Sequence, residues 1–454
     1  MDSVVSLLLD WQGLGRRWEP TRLTRRLPLL AGLLLLSLFT VLPFLSRPGL
    51  VLLLLGSGLL WLSWSLLESP GAMGAMGRWL LVFLAVAVVA TGFSPVPREA
   101  LRGLLKLVLY LGGWALAARL LAHRRRWWNP LLAGLLLGGL AEAVLALRQL
   151  HGGAMALATW SDTASILLNT ERLYGTLGNP NLLGGYLVPI VPLAVGAALH
   201  WRRWPSRLFA AVTATLAGTA LVLTYSRGAW LGLAAGLACF ALLWVWFALP
   251  RRQGRRQAVF WGLLLAAALL GGVAMAGLLE PLQVRLLSAL AGRGDSSVNF
   301  RINVWTAAWQ MLRDYPWTGI GPGQDAFNRV YPLYQQPLFN ALSAYSMPLE
   351  LAVELGVAGL LAGIAVFCHV LHQGLRQLKA AVATTEERGW PQISVMAAVV
   401  GLGAHGLVDT IFLRPEVQLT WWLCIAFLAT PHQPHRLQAK THGDRGAGAT
   451  TAPD

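Results

Sequence analysis

Residues 28–45 read PLLAGLLLLSLFTVLPFL, a stretch from Pro28 to Leu45 without a single charge. At ~1.5 Å per helical residue such a run approaches the ~30 Å of a bilayer's hydrocarbon core. Its apolar residues are consecutive rather than alternating, so a helix, which satisfies its own backbone, is the structure that fits. Runs of the same kind follow at 49–67, 78–93, 101–121, 130–148, 182–200, 207–225, 228–249, 257–279, 348–373, 391–412 and 416–430, which makes about twelve spans. Composition agrees. Of 454 residues, 56% are hydrophobic and 12% charged, where a soluble domain carries about a quarter charged, and the mean hydropathy is +0.56. The expectation is an all-α, polytopic integral membrane protein: a basic segment 1–27, one membrane domain 28–430, and a tail 431–454 with too few apolar residues to pack. Arg16, Arg17, Arg22, Arg25 and Arg26 precede the first run as in a signal peptide. No small-residue cleavage site follows, however, and further spans do, so the first helix is read as retained.

The net charge of +16 does not imply a nucleic-acid partner, because the basic residues cluster between apolar runs, a pattern that orients membrane proteins. Arg119 with Arg124 to Arg126, then Arg202, Arg203 and Arg207, then Arg251, Arg252, Arg255 and Arg256, and finally Arg376, Lys379 and Arg388 fall on the same side as the N-terminus. That side is expected to be cytoplasmic, with both termini on it. Trp127, Trp128, Trp201, Trp204, Trp244, Trp246 and Trp390 stand beside these clusters, as an interfacial aromatic belt would. Cys239, Cys368 and Cys424 lie far apart within apolar runs, which favours neither a disulfide framework nor a cysteine metal site. No phosphate-loop motif occurs, so ATP hydrolysis is unsupported. Neither a metal nor another cofactor is expected. Two segments on the far side, about 150–181 and 280–347, exceed simple connectors, and function is expected there.

In the first of them, Glu171-Arg172-Leu-Tyr174-Gly-Thr-Leu-Gly178-Asn179-Pro180-Asn181 runs into a span. Asn and Pro are ordinary helix starters, yet Arg172 precedes a helix N-terminus that already favours an anion, and Asn179 and Asn181 stand beside it. Pro189 and Pro192 could kink the span that follows. In Tyr225-Ser226-Arg227-Gly228 an arginine sits between two apolar runs, either solvated at the interface or facing inward, where its planar fork suits phosphate or carboxylate oxygens. Residues 302, 304, 305, 308, 309 and 312 share one helical face, predicting an amphipathic external helix begun by Arg301, with Trp305 and Trp309 packing. Gly319-Ile-Gly321-Pro-Gly323 reads as the turn closing it, since no strand-helix unit surrounds it. Beyond it, Glu350 and Glu354 share a helix face and suit either proton transfer or pairing with arginines. His405 and Asp409, also i,i+4, are expected to form a structural salt-bridged pair.

In order, R-x-x-G-x-x-G-N-P-N (172–181), S-R-G-A-W (226–230), R-x-x-x-W (301–305), D-x-P-x-x-G-I-G-P-G (314–323) and V-E-L-G-x-x-G (353–359) resemble the O-antigen ligase and polymerase superfamily of membrane glycosyltransferases. L-T-Y-S-R-G (223–228), F-R-I-N-V-W (300–305), A-F-N-x-V-Y-P-L-Y-Q-Q (326–336) and A-L-S-A-Y-S-x-P-L-E (341–350) resemble the cyanobacterial IctB family of inorganic-carbon, or bicarbonate, transport proteins. The first resemblance implies about twelve helices with a large periplasmic loop, and metal-independent transfer of a glycan from an undecaprenyl-pyrophosphate donor. It maps the family's pyrophosphate-binding arginines onto Arg227 and Arg301. The family's catalytic histidine falls on Tyr345, a poorer base at neutral pH.

These readings imply a multi-pass protein of a bacterial, cyanobacterial-type plasma membrane. Tyr345 and Glu354 are the catalytic candidates; Arg172, Arg227, Arg301, Asn179 and Asn181 are the substrate or anion-binding candidates. The partner beyond the bilayer is a polyprenyl-pyrophosphate-linked glycan, or bicarbonate as the second resemblance implies, and a non-catalytic binder of anionic lipid remains a third reading.

Overall fold

The computed structural model describes residues 22–68, 74–151, 172–248, 296–384 and 389–429. Among them the regular elements are all helical: α1 (Arg22–Val41), α2 (Arg47–Leu67), α3 (Ala75–Gly92), α4 (Pro97–His123), α5 (Trp128–Arg148), α6 (Pro180–His200), α7 (Trp204–Val222), α8 (Arg227–Leu243), α9 (Ser296–Asp314), α10 (Gln324–Val330), α11 (Met347–Thr384), α12 (Trp390–Val408) and α13 (Pro415–Ala429), with short 3-10 and π turns between some of them. Among the described residues ten helical segments are long and apolar enough to span a bilayer, so this is an all-α polytopic membrane protein. α13 occupies the last expected span but is only 15 residues long. The expected span 257–279, the motif's Glu171, the basic cluster Arg251 to Arg256, Arg388 and the tail 431–454 lie outside the described residues, as does most of the segment 1–27.

Local chemistry starts the helices where the sequence implies. The Ser46 hydroxyl accepts the Gly49 amide at the head of α2, Asn179 Oδ1 accepts the Asn181 amide at 2.8 Å to cap α6, and the Ser226 hydroxyl accepts the Ala229 amide to cap α8. Each such cap contributes about 1 kcal/mol. Inside the helices, where water is absent, the hydroxyls of Thr40, Ser57, Thr91 and Thr213 donate to carbonyls four residues earlier.

The core forms around α6. Leu183 to Ala194 are buried on every side of that helix, which is why its sequence lacks a polar face, and α7, α8 and α12 pack around it. Helices α1 to α4 keep one apolar face outward, with Leu52, Leu59, Leu66, Val88 and Leu105 exposed; lipid can cover such a face at no hydrophobic cost, so association relies on close packing. Gly232 of α8 and Gly401 of α12 provide that closeness. A Cβ on either would stand within 2.9 Å of the other's carbonyl oxygen.

Two expectations about helix shape meet different outcomes. α6 continues through Pro189 and Pro192 as one helix, because its packed neighbours hold the segment despite the lost amides. The break falls in α11 at Gly356, whose φ of 69° and ψ of −173° depart from helix. A Cβ there would sit 2.2 Å from the Trp317 carbonyl oxygen, so the backbone of the preceding loop occupies the place a side chain would need. The amphipathic helix α9 is present, but its buried face is Val304, Ala307, Ala308, Met311 and Leu312, while Trp309 is 52% exposed. The face is turned from the expected one because small Ala307 and slender Met311 enter the cluster with Ala352 and Val353 of α11, leaving Trp309 outside with the Arg313 guanidinium 5.8 Å from its ring centre.

Candidate functional site

α6 and α8 begin, and α12 ends, at the same end of the bundle, and the candidate residues gather there. Arg172 runs antiparallel to the 223–226 turn: the Leu173 amide donates to the Leu223 carbonyl, Arg172 Nε donates to the Thr224 carbonyl at 2.9 Å, and its terminal nitrogen reaches Asn181 Oδ1 at 3.1 Å. Thus Arg172, Asn179 and Asn181 form one hydrogen-bonded unit at the head of α6, with Arg227 at the head of α8 alongside. The turn 174–177 is held from beneath by Gln149, whose Oε1 accepts the Tyr174 and Gly175 amides, and by Glu142, whose carboxylate accepts the Thr176 amide and hydroxyl at 2.8 and 2.7 Å. Arg414 donates to the Leu177 carbonyl. Sequence reasoning passed over Glu142, although it is the one acid inside the apolar run 130–148, and a lone intramembrane acid is itself a signal.

Arg301, in the second turn of α9, binds Asp409 at 3.3 Å, with 18% of the arginine side chain and 6% of the aspartate side chain exposed. Asp409 Oδ1 accepts the Thr410 amide, and Asp409 also lies within electrostatic reach of Arg172. The expected His405–Asp409 pair does not form. α12 stops at Val408, and Asp409 is extended (φ −153°, ψ 156°), so the shared helical face on which i,i+4 pairing depends ends before it. His405 is fully buried, and neither ring nitrogen is hydrogen-bonded to a described residue. Its ring lies against the first turn of α8, where a Cβ on Gly228 would come within 2.7 Å of it.

Tyr345 sits at the edge of this group, with a positive φ of 49° and its ring edge-on to Phe300 at 5.5 Å. Burial above all pushes its phenol up to about 12; the Asp409 carboxylate adds to the shift and Arg301 opposes it. The phenol is therefore a proton carrier at neutral pH and a hydrogen-bond donor. The two glutamates diverge. Glu350 is buried beside the Thr410 side chain, with Oε2 hydrogen-bonded to none of the described residues, and lies within electrostatic reach of Asp409. Glu354, one turn on, accepts the Gly323 amide at 2.8 Å. Among the described residues neither forms the arginine pair considered as one alternative. The glycine-rich turn does close α9, and it also docks on α11: the Ile320 and Gly321 amides donate to the Val353 and Glu354 carbonyls, both at 2.9 Å. Gly319, Gly321 and Gly323 all have positive φ, which that docking requires. The arrangement thus joins three arginines, two acids, a phenol and an imidazole at one bundle end, with Glu354 engaged to the side. Among the described residues no three His, Cys, Asp or Glu side chains come together as a metal site would need.

Residues 209–364 match the family model described as O-antigen ligase. The matched stretch is about a third of the chain and contains Arg227, Arg301, Tyr345, Glu350 and Glu354, whereas Arg172, His405 and Asp409 lie outside it. No curated protein matches the chain. The protein is thus a multi-pass membrane protein similar to O-antigen ligase through its middle, and the residues that complete its arginine site come from flanking sequence.

Proposed function

We propose that the arginine site binds the pyrophosphate of a polyprenyl-linked glycan at the periplasmic face of a bacterial plasma membrane, with both termini cytoplasmic, and serves transfer of that glycan to an acceptor hydroxyl. The observation that carries this reading is that Arg301 and Arg172 both lie within reach of Asp409, while Arg227 starts α8 next to the turn that Arg172 binds, at two helix N-termini whose dipoles favour an anion. At ~4 Å and an effective dielectric near 20, each arginine–phosphate pair gains about 4 kcal/mol before desolvation. A pyrophosphate has oxygens for several such forks, and bicarbonate for fewer. In transfer, the acceptor oxygen forms its bond to the anomeric carbon as the bond from that carbon to the pyrophosphate oxygen breaks. The electron pair leaves on the pyrophosphate, where the arginines stabilise it, and the acceptor proton passes to a base. Tyr345, protonated at neutral pH, fits as a donor that orients a phosphate or hydroxyl oxygen. Glu354 acts on this reading by holding the 319–323 turn, and Asn179 and Asn181 by orienting Arg172.

The test uses purified protein in liposomes supplied with a polyprenyl-pyrophosphate-linked glycan. Arg227→Ala and Arg301→Ala are expected to abolish glycan binding and transfer, and Tyr345→His to raise any weak transfer by supplying a base of suitable pKa. The IctB-family resemblance supports a second reading, and the same liposomes address it: bicarbonate uptake above that of empty liposomes that depends on Arg227, with no glycan binding, would replace this proposal by inorganic-carbon transport.

A further inference from the structure

The opposite end of the bundle holds a groove that the arginine site does not use. α6 begins at the site and runs 21 residues to His200, a rise of about 30 Å, so the connection 201–203 and the start of α7 lie at the other membrane face. There a groove of about 660 Å³ opens between the head of α5 and the α6–α7 turn, lined by Asn129, Ala133, Trp201, Arg202, Arg203 and Phe209. Its floor is built. Trp201 stacks on Phe209 at 6.3 Å with ring planes 11° apart, and the indole N–H donates to Asn129 Oδ1 at 3.1 Å. Arg207 turns away to the Ala198 carbonyl, whereas the Arg202 and Arg203 side chains make no hydrogen bond or ion pair with the described residues. Next to the groove Trp204 and Leu208 are exposed, 73% and 53%, continuing an apolar surface outward from the charged rim.

From this geometry we infer that the groove binds the headgroup of an anionic phospholipid from the leaflet at this face. Two unpaired guanidiniums match one phosphodiester, the Trp201–Phe209 stack faces the glycerol and upper acyl region, and Trp204 with Leu208 lies where the chains must descend. Basic pockets between membrane helices hold anionic headgroups on these terms. The groove lies within the size range of small-ligand sites, and its apolar continuation distinguishes a lipid from a free phosphate, which has nothing to place there.

The experiment is native mass spectrometry on the full chain in detergent with dioleoyl phosphatidylglycerol, dioleoyl phosphatidylcholine or inorganic phosphate. Phosphatidylglycerol is expected to be retained in preference to phosphatidylcholine, and the Arg202→Ala/Arg203→Ala variant to weaken its retention roughly 10- to 30-fold. Ala133→Phe, which fills the groove without altering charge, is expected to weaken it as well and stands in if the double variant fails to fold. Equal retention of the two lipids, undiminished phosphatidylglycerol binding by the folded variants, or displacement of the lipid by equimolar phosphate would overturn the inference.

Discussion

Asp409→Asn is the sharpest probe of how the arginine site is held. The substitution keeps the shape of the side chain and an oxygen for the Thr410 amide, and removes only the charge that Arg301 meets at 3.3 Å. Removing one partner of a fully buried pair costs about 3–5 kcal/mol. Asp409 is nearly enclosed but Arg301 keeps some solvent contact, so the expected loss is smaller, about 1.5–3 kcal/mol. In a chain of this size that corresponds to a fall in melting temperature of roughly 1.5–3 °C, measured on detergent-solubilised protein by intrinsic fluorescence, for which the tryptophans are ample. The decisive form is a double-mutant cycle. In an Arg301→Met background the guanidinium that pairs with Asp409 is gone, and Asp409→Asn should cost at least 1 kcal/mol less, that is, about 1 °C less, than in the wild type. His405→Ala should show no such coupling with Asp409→Asn. Additive effects of the Arg301 and Asp409 substitutions, or coupling that appears only with His405, would refute the assignment and restore the pairing expected from sequence spacing.

Three further outcomes follow from the geometry. Glu354→Ala should release the Gly323 amide and raise hydrogen exchange across 319–323 at a cost of about 1–3 kcal/mol, while Glu354→Gln, which retains an acceptor, should leave exchange near wild type; equal exchange in both would deny the carboxylate its structural role. The Tyr345 phenol should stay protonated as pH rises through 10 and ionise near 12, detected as phenolate absorbance lost in Tyr345→Phe. Because its folded pKa lies above the unfolded value near 10, its contribution to stability is fully present below pH 10 and is lost between about 10 and 12; ionisation near 10 in folded protein would contradict the burial. Gly401→Val should force α8 and α12 apart against a backbone carbonyl that cannot yield, destabilising by more than the ~1–3 kcal/mol usual for overpacking and lowering the yield of monodisperse protein, whereas Gly218→Ala, with nothing within 4 Å of the added Cβ, should not.

How much of this was legible in the sequence depends on the range of the interaction. Span positions were, because a bilayer demands about twenty apolar residues in a row and the requirement is local. So was the head of α6, where Asn179, a residue type that starts helices, caps the Asn181 amide; the caps at Ser46 and Ser226 are equally local. The Arg301–Asp409 contact joins residues 108 apart, and no local rule announces it. The i,i+4 rule pointed to His405 instead, and failed because it presumes a helix that has ended one residue too soon. The position of the break in α11 was hidden for a related reason: proline signals a missing amide in its own helix, but Gly356 departs from helix where backbone from another segment lies against it. Trp309 was expected to pack from its place on the apolar face, yet the α9 interface selects residues by fit, and alanine fits better.

The stitching of 316–323 to α11 has a consequence for the integrity of the chain itself. Pro316, Ile320, Gly321 and Gly323 exchange backbone and carboxylate hydrogen bonds with Val353, Glu354 and Val357, and α9 packs beside them. The covalent path between these partners runs through 334–346, which is without helix and carries Leu338 at 96% exposure with a positive φ. That stretch is where a protease would enter. A cut there would sever the polypeptide but not the structure, since the contacts that fasten α9 and its closing turn to α11 lie on both sides of the nick. Nicked at Leu338, the two pieces would stay joined through these contacts.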